Sequence, residues 1–234
     1  MGYLVCESGI GLVLVRLFYP IATVTMKILL LTLTRWQVEG KENIPRKGPL
    51  IIVANHLNLI DPPLLGASVP RKIHFMAKKE LFRSRISRLV VQAYGAFPVK
   101  RGQADREAMR RALELLRGGR VLGMFPEGKR SPDAQLQTPQ PGASLLACRS
   151  GVSLIPVGIS GSEQVRGMSF IFRRPRIKVS IGRPFVLPQS GNTADHLLLS
   201  KHSDLIMEHI AEVLPDGYRG SYNPEHTFRC YHGN

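Results

Sequence analysis

A histidine and an aspartate five positions apart, His56 and Asp61, stand in the segment Val53-Ala54-Asn55-His56-Leu57-Asn58-Leu59-Ile60-Asp61-Pro62-Pro63. An aspartate at that spacing can curl back to the imidazole and accept a hydrogen bond from one ring nitrogen. That contact would fix the tautomer and leave the other nitrogen free to act as a base. A purely structural use is also open to Asp61, because Asp before Pro makes a good helix N-cap with Pro at the first helical position. The apolar run ahead of His56 predicts a buried strand over Pro49–Ala54. His56 would then sit at the carboxyl edge of a sheet, where open α/β folds place their ligands.

Two further segments carry chemistry. Phe125-Pro126-Glu127-Gly128-Lys129-Arg130-Ser131 closes a second predicted strand. Gly123 to Lys129 imitates the body of a nucleotide-binding loop. However, Arg130 replaces the required Ser or Thr, and Pro126 and Glu127 stand where backbone amides should cradle phosphate. A turn offering a carboxylate, a glycine amide and an arginine fork suits instead a small ligand with hydroxyl and phosphate groups. Gly95-Ala96-Phe97-Pro98-Val99-Lys100-Arg101-Gly102 is a third strand running into a basic corner. Neither Ser144 nor Ser160 has the flanking glycines of a nucleophile elbow, so the sequence offers no support for a covalent serine intermediate. It shows no metal-ligand cluster and implies no cofactor. Cys6, Cys148 and Cys230 are odd in number and far apart, which excludes a zinc ribbon or a disulfide scaffold and fits a reducing compartment.

These residues need a scaffold, and the alternation of short apolar runs with helical patterns supplies one. Strands are predicted at Pro49–Ala54, Lys72–Ala77, Gly95–Val99, Arg120–Phe125, Val152–Ile159 and Arg176–Ile181. Helices are predicted at 62–69, 79–93, 103–117, 142–150 and 195–213. The helix at 103–117 is the best marked, with acids in its first turn, arginines later and Gly118-Gly119 at its end. The pattern is that of an α/β layered domain with a largely parallel or mixed central sheet flanked by helices. At 234 residues the chain is long enough for one such domain, placed at 36–220, with an irregular tail at 221–234.

Residues 1–35 are expected to form a membrane-associated helical segment. Residues 9–34 are strongly apolar, interrupted by Arg16, Pro20 and Lys27, while Arg16, Thr23, Lys27 and Thr34 fall on one narrow helical stripe. A helix of this length could cross a bilayer with the stripe facing protein, but two basic groups and a proline argue for burial in one leaflet. Glu7 and the lack of a small-residue cleavage site argue against a secretory signal. Net charge is +15, and residues 71–130 hold sixteen of the thirty-two Lys and Arg against five acids. Solvated helix faces account for most of this charge, and by charge alone nucleic acid, anionic lipid and acidic small molecules all suit the rest. Nucleic acid is not expected as a partner, since no zinc finger, aromatic ribonucleoprotein motif or recognition helix is evident.

Four blocks stand in the order and spacing of the glycerolipid acyltransferase motifs: NH-x4-D at 55–61, FPVKRG at 97–102, FPEG-x-RS at 125–131 and LIPVGI at 154–159. The sequence resembles bacterial 1-acylglycerol-3-phosphate acyltransferases most, from about residue 36 to 186, and the ending LPDGYRGSY is similar too. The resemblance implies that His56 and Asp61 are the catalytic pair and that Arg101 and Arg130 hold the acceptor's phosphate. It implies that Glu127 and Gly128 line the acceptor site and that Lys79 is a further phosphate ligand, a part Lys78 could also play. A lysophosphatidate acceptor follows, with acyl-CoA or acyl carrier protein as the donor, at a membrane lipid surface on the cytoplasmic face. Acylation of glycerol 3-phosphate or of another lysolipid is the alternative within the family; a lipid ester hydrolase or a basic nucleic-acid-binding protein is the alternative outside it. Three positions depart from the family pattern: Lys129 replaces Thr, Asn58 replaces Ser and Gln140 replaces Lys.

Overall fold

Among the described residues seven strands form one sheet: β1 Arg35–Glu39, β2 Leu50–Ala54, β3 Ile73–Lys78, β4 Phe97–Val99, β5 Val121–Met124, β6 Leu154–Ser160 and β7 Arg176–Ile181. The computed structural model describes residues 9–84, 87, 88, 91, 94–99, 105–188 and 195–222, with side chains from residue 18 onward. Strand order is β1-β7-β6-β2-β5-β3-β4. All neighbours are parallel except β6 and β7, which pair antiparallel. β2 is central, and all five of its side chains are buried, as expected of a Leu-Ile-Ile-Val-Ala run covered on both faces.

Helices close both faces of the sheet. They are α1 Gly9–Leu33, α2 Asp61–Ser68, α3 Arg106–Arg117, α4 Gly142–Ser150, the short α5 Phe170–Arg173 and α6 His196–Glu212. One core lies under α1 and α2 around Leu50, Ile52, Leu64 and Ile155; the other lies under α3, α4 and α6 around Ile51, Val53, Leu146 and Ile206. Alternate residues of β2 point into the two cores, the period-two geometry of a strand. α3 starts at Arg106, three residues after the expected 103, because Asp105 caps it: the Asp105 side chain accepts from the Ala108 amide at 3.0 Å. Its end is as read, at Gly118.

Three further differences from the sequence reading have physical causes. β1 was not expected, because an edge strand with Arg35, Gln37 and Glu39 exposed and only Trp36 and Val38 half-buried leaves a weak apolar signal. In place of a helix from 79, Lys79–Phe82 is a 3-10 turn, and much of the rest of that span lies outside the described residues. α1 turns one face inward, and that face takes only part of the polar stripe: Thr34 and the Thr23 hydroxyl are buried, but Lys27 is not. Met26, Leu30 and Thr34 pack on the domain while Lys27 stays exposed, since a solvated ammonium at the margin of a face turns outward. Among the described residues no helix is long and apolar enough to cross a membrane.

The sheet also fixes what lies behind the His56 corner. A methyl group on Gly123 of β5 would come within 2.5 Å of Phe75 Cε1 and 2.7 Å of Ile73 Cγ2. Phe75 stacks on Phe125, with ring centroids 6.1 Å apart, and Phe125 stacks on His56 at 4.2 Å. Gly123→Ala should therefore destabilise the fold by about 1–3 kcal/mol through overpacking. Urea unfolding checks this; unchanged stability would mean that Phe75 moves aside freely.

Candidate active site

Parallel pairing of β6, β2, β5, β3 and β4 puts five carboxyl ends on one edge. His56 follows β2, Lys79 follows β3, Glu127, Gly128 and Arg130 follow β5, and Ser162 follows β6. β4 reaches the same edge at Val99, but Arg101 lies outside the described residues.

Asp61 is fully buried, and both its oxygens are used. Oδ2 accepts from His56 Nδ1 at 2.8 Å, from the Leu57 amide at 2.6 Å and from the Asn58 amide at 2.7 Å. Oδ1 accepts from the Ser162 hydroxyl at 2.7 Å. Asp61 is therefore no N-cap. Pro63 has no N–H, and the Leu64 amide already donates to the Ile60 carbonyl, so α2 offers its carboxylate nothing to cap. The two prolines at the helix start cost no hydrogen bonds, and they leave Asp61 facing backwards onto the loop. An imidazole bonded this way through Nδ1 presents Nε2 as its free nitrogen. His56 Nε2 has no hydrogen bond to the described residues.

The loop carrying His56 is clamped from both neighbouring strands. Asn55 exchanges two hydrogen bonds with β6: its amide group donates to the Ile159 carbonyl at 2.8 Å, and its oxygen accepts from the Ile159 N–H at 2.7 Å. The Asn58 side chain donates to the carbonyls of Ser162 and Val165, at 3.0 Å each. From the β5 side, the Ser131 amide donates to the His56 carbonyl at 2.7 Å, and the His56 amide donates to Glu127 Oε1 at 2.9 Å. The chain turns from β6 to Ser162 through Gly161 at φ +84°, where any Cβ would collide with the Arg176 carbonyl.

Glu127 is 1 % exposed, and its second oxygen accepts from the Gln137 amide at 3.2 Å. Its carboxylate thus ties the His56 loop to the polar 131–142 excursion. Burial pushes its pKa up to about 7; the two amide hydrogen bonds oppose the shift, and the Asp61 and Asp133 charges add to it. Gly128, at φ +69°, completes a tight turn by donating its amide to the Phe125 carbonyl. Arg130 and Lys79 are exposed at the same edge. Lys79 lines a cleft of about 130 Å³ between the ends of β3 and β4 and the start of α3, with Val99 and Arg111 also in its wall.

The sequence reading missed Asn55, Ser131 and Ser162 as members of this site. Asn55 lay inside a quoted motif, and its side chain flanking a buried strand end was a usable signal. Ser162 had none, since its partner Asp61 is 101 positions away. Asn58, a departure from the family pattern, holds two carbonyls of the 162–165 turn, and the backbone amide of Gln140 donates to the Pro126 carbonyl at 2.8 Å. No amide in the first turn of α2 is free for an oxyanion: Asp61 donates to Asn58, Leu64 to Ile60, and positions 62 and 63 are proline.

Residues 35–160 match the family model described as acyltransferase. The 1-acyl-sn-glycerol-3-phosphate acyltransferase of Bacillus subtilis is 30% identical over 168 residues, covering 71% of this chain and 81% of that protein. The enzyme of the same name from Streptococcus pneumoniae is 32% identical over 165 residues, covering 66% of this chain and 60% of its own length. The crystal structure of the 1-acyl-sn-glycerophosphate acyltransferase of Thermotoga maritima superposes with a TM-score of 0.61 at 26% identity, covering 82% of this chain and 76% of that one. With more than half its length inside the family model and a buried His–Asp pair on the carboxyl edge of its sheet, the chain belongs to the acyltransferase family.

Proposed function

We propose that this acyltransferase moves a fatty acyl group from a thioester donor to the sn-2 hydroxyl of 1-acylglycerol 3-phosphate, giving phosphatidate. The observation that carries the mechanism is the 2.8 Å contact between His56 Nδ1 and the fully buried Asp61. His56 Nε2 takes the hydroxyl proton as the oxygen attacks the thioester carbonyl. A carbon–oxygen bond forms, the carbon–sulfur bond breaks, and the imidazolium returns the proton to the departing thiolate. Asp61 steadies the imidazolium, and Ser162, on its other oxygen, acts as a positioning residue. Glu127 positions His56 through the backbone.

The acceptor's phosphate is assigned to Arg130 and Arg101, with Lys79 as a further ligand, and Gly128 lines the approach. β5, which leads to Arg130, lies next to β2, and neighbouring strands are about 4.8 Å apart. Arg130 is therefore rooted one strand from the base, a separation that a glycerol phosphate can bridge. Lys79 is rooted two strands away, which suits the far side of a dianion or the phosphates of the donor. The donor is acyl-CoA or acyl carrier protein. The outer face of α1, apolar and opposite its packed face, is assigned to one leaflet of a membrane at the cytoplasmic side.

The proton relay is checked by thiol release with purified protein. His56→Ala should lower turnover about 10²–10⁴-fold with folding retained. Asp61→Asn should be severely impaired, and Ser162→Ala should lose roughly tenfold in turnover, with Ser162→Thr recovering part. Near-normal turnover in His56→Ala would rule the mechanism out.

For phosphate recognition, Arg130→Ala should weaken apparent acceptor affinity by roughly ten- to over a hundredfold, the loss of a charge-assisted contact. Arg130→Lys should recover only partly, and donor affinity should move far less. Equal losses for donor and acceptor would place Arg130 on the general basic surface and outside an acceptor pocket.

The buried Glu127 makes a prediction about pH. Its folded pKa of about 7 lies above the ordinary 4.5, so the folded state holds the proton longer than the unfolded chain does. The penalty is absent below about 4.5, grows as pH rises and is complete above about 7, where it amounts to about 3 kcal/mol. Glu127→Gln should flatten the fall in unfolding free energy between these limits, as denaturant titrations at several pH values will read out. Parallel profiles for both proteins would exclude Glu127 as the source.

A further inference from the structure

Phe172 is 89% exposed and Met168 76%, in an excursion between β6 and β7 whose other apolar side chains, Val165, Phe170 and Ile171, are half-buried. Arg166, Arg173 and Arg174 stand exposed beside them, and no carboxylate among the described ion pairs is theirs. A single exposed apolar side chain is ordinary, but two large ones within five positions, flanked by arginines and next to the exposed apolar face of α1, make up the kind of patch that marks an interaction surface.

The excursion is rooted in two places. At its far end, the Arg174 guanidinium reaches the Leu31 carbonyl in the last turn of α1 at 3.5 Å, and the Arg35 amide donates to the Pro175 carbonyl at 2.9 Å. It therefore abuts the end of α1, whose outer face exposes Ile21, Ile28 and Leu31. At its near end, Asn58 holds the carbonyls of Ser162 and Val165, so the excursion is fastened to the loop that carries His56. Leu59, next to Asn58, is itself 66% exposed.

We propose that the Val165–Arg174 excursion is a second lipid contact, separate from α1, that sinks Met168 and Phe172 into an anionic leaflet with Arg166, Arg173 and Arg174 at headgroup level. The occupant is a bilayer because its surface is fluid: it receives separate protruding side chains, whereas a protein partner needs a contiguous complementary face. The arginine stems lie along the apolar boundary while their charged heads meet phosphates. Because the excursion and the catalytic loop share hydrogen bonds, docking it seats the mouth of the site against the leaflet that holds a lysolipid. The inference rests on the reading of the acceptor as a membrane lipid.

The test is flotation of the full chain with vesicles of phosphatidylcholine alone or mixed equally with phosphatidylglycerol. Phe172→Ser combined with Met168→Ser should lower partitioning into both about tenfold. Replacing the three arginines with glutamine should lower partitioning into the anionic vesicles by about fivefold per charge at low salt, and leave neutral vesicles almost unchanged. Turnover of a dispersed short-chain acceptor should stay at the parent level in all of these variants. Because truncation could disturb folding, Phe172→Trp supplies a gain-of-signal check: brominated lipid should quench its fluorescence beyond that of the parent, whose one tryptophan is Trp36. Unchanged partitioning with no added quenching overturns the proposal. So does self-association without lipid that Phe172→Ser abolishes, which would assign the patch to a second copy. An Ile21→Ser, Ile28→Ser pair tests α1 by itself, and loss there alone would leave the α1 reading standing and this one overturned. Vesicle binding needs no turnover, so failure of the acyl-transfer reading would show separately, as absent thiol release.

Discussion

A carboxylate with no solvent exposure organises this molecule. Burying a charge costs several kcal/mol unless it is fully hydrogen-bonded. Asp61 meets that condition with four donors from two chain segments: His56 Nδ1, the amides of Leu57 and Asn58, and the Ser162 hydroxyl. Each donor is therefore held as firmly as the charge requires. The imidazole cannot rotate without uncovering the carboxylate, and the 162 turn cannot leave without doing the same. The geometry of the His56–Asp61 pair and the local stability rest on the same set of bonds.

The sheet explains how residues so far apart in the chain come to share that corner. Parallel strands all end on the same edge: each crossover takes the chain back to the edge where the previous strand began, and the next strand brings it again to the edge where that strand finished. β2 sits between β5 and β6, and both neighbours contribute to the clamp on the His56 loop. The β6 side supplies Ile159, Ser162 and Val165; the β5 side supplies Glu127 and Ser131. β7 breaks the pattern by running antiparallel to β6. The 165–174 excursion that joins them consequently starts at the carboxyl edge of β6, and its far end packs beside α1.

Glu127 shows how a motif residue can be recognised while its bonding is not. Its carboxylate is turned inward, where it accepts from backbone amides on both sides, and burial raises its pKa to about 7 despite those bonds. A group kept at that cost stabilises something the fold cannot supply otherwise. Here it satisfies the His56 N–H at the point where β2 has ended and no ladder partner remains.

The sequence by itself determined the architecture. The strand at 176–181 and the helix at 142–150 were bounded to the residue, and the other strands of the parallel core were placed within two or three residues, because buried strands and capped helices write their periodicity locally. His56 and Asp61 were legible for the same reason: their contact spans five positions, and the resemblance of four motif blocks marked them. What only the tertiary structure decided was every contact made across the sheet. That Asp61 faces back onto the loop and does not cap α2, that Ser162 completes its shell, and that Asn55 and Asn58 lace the loop to β6 all depend on which strands become neighbours. Strand order is set by the packing of two cores against one sheet, a sum over the whole chain that no local pattern contains. The inward face of α1 was decided in the same way, by what it packs on: it buries Thr34 and the Thr23 hydroxyl of the polar stripe and leaves Lys27 outside.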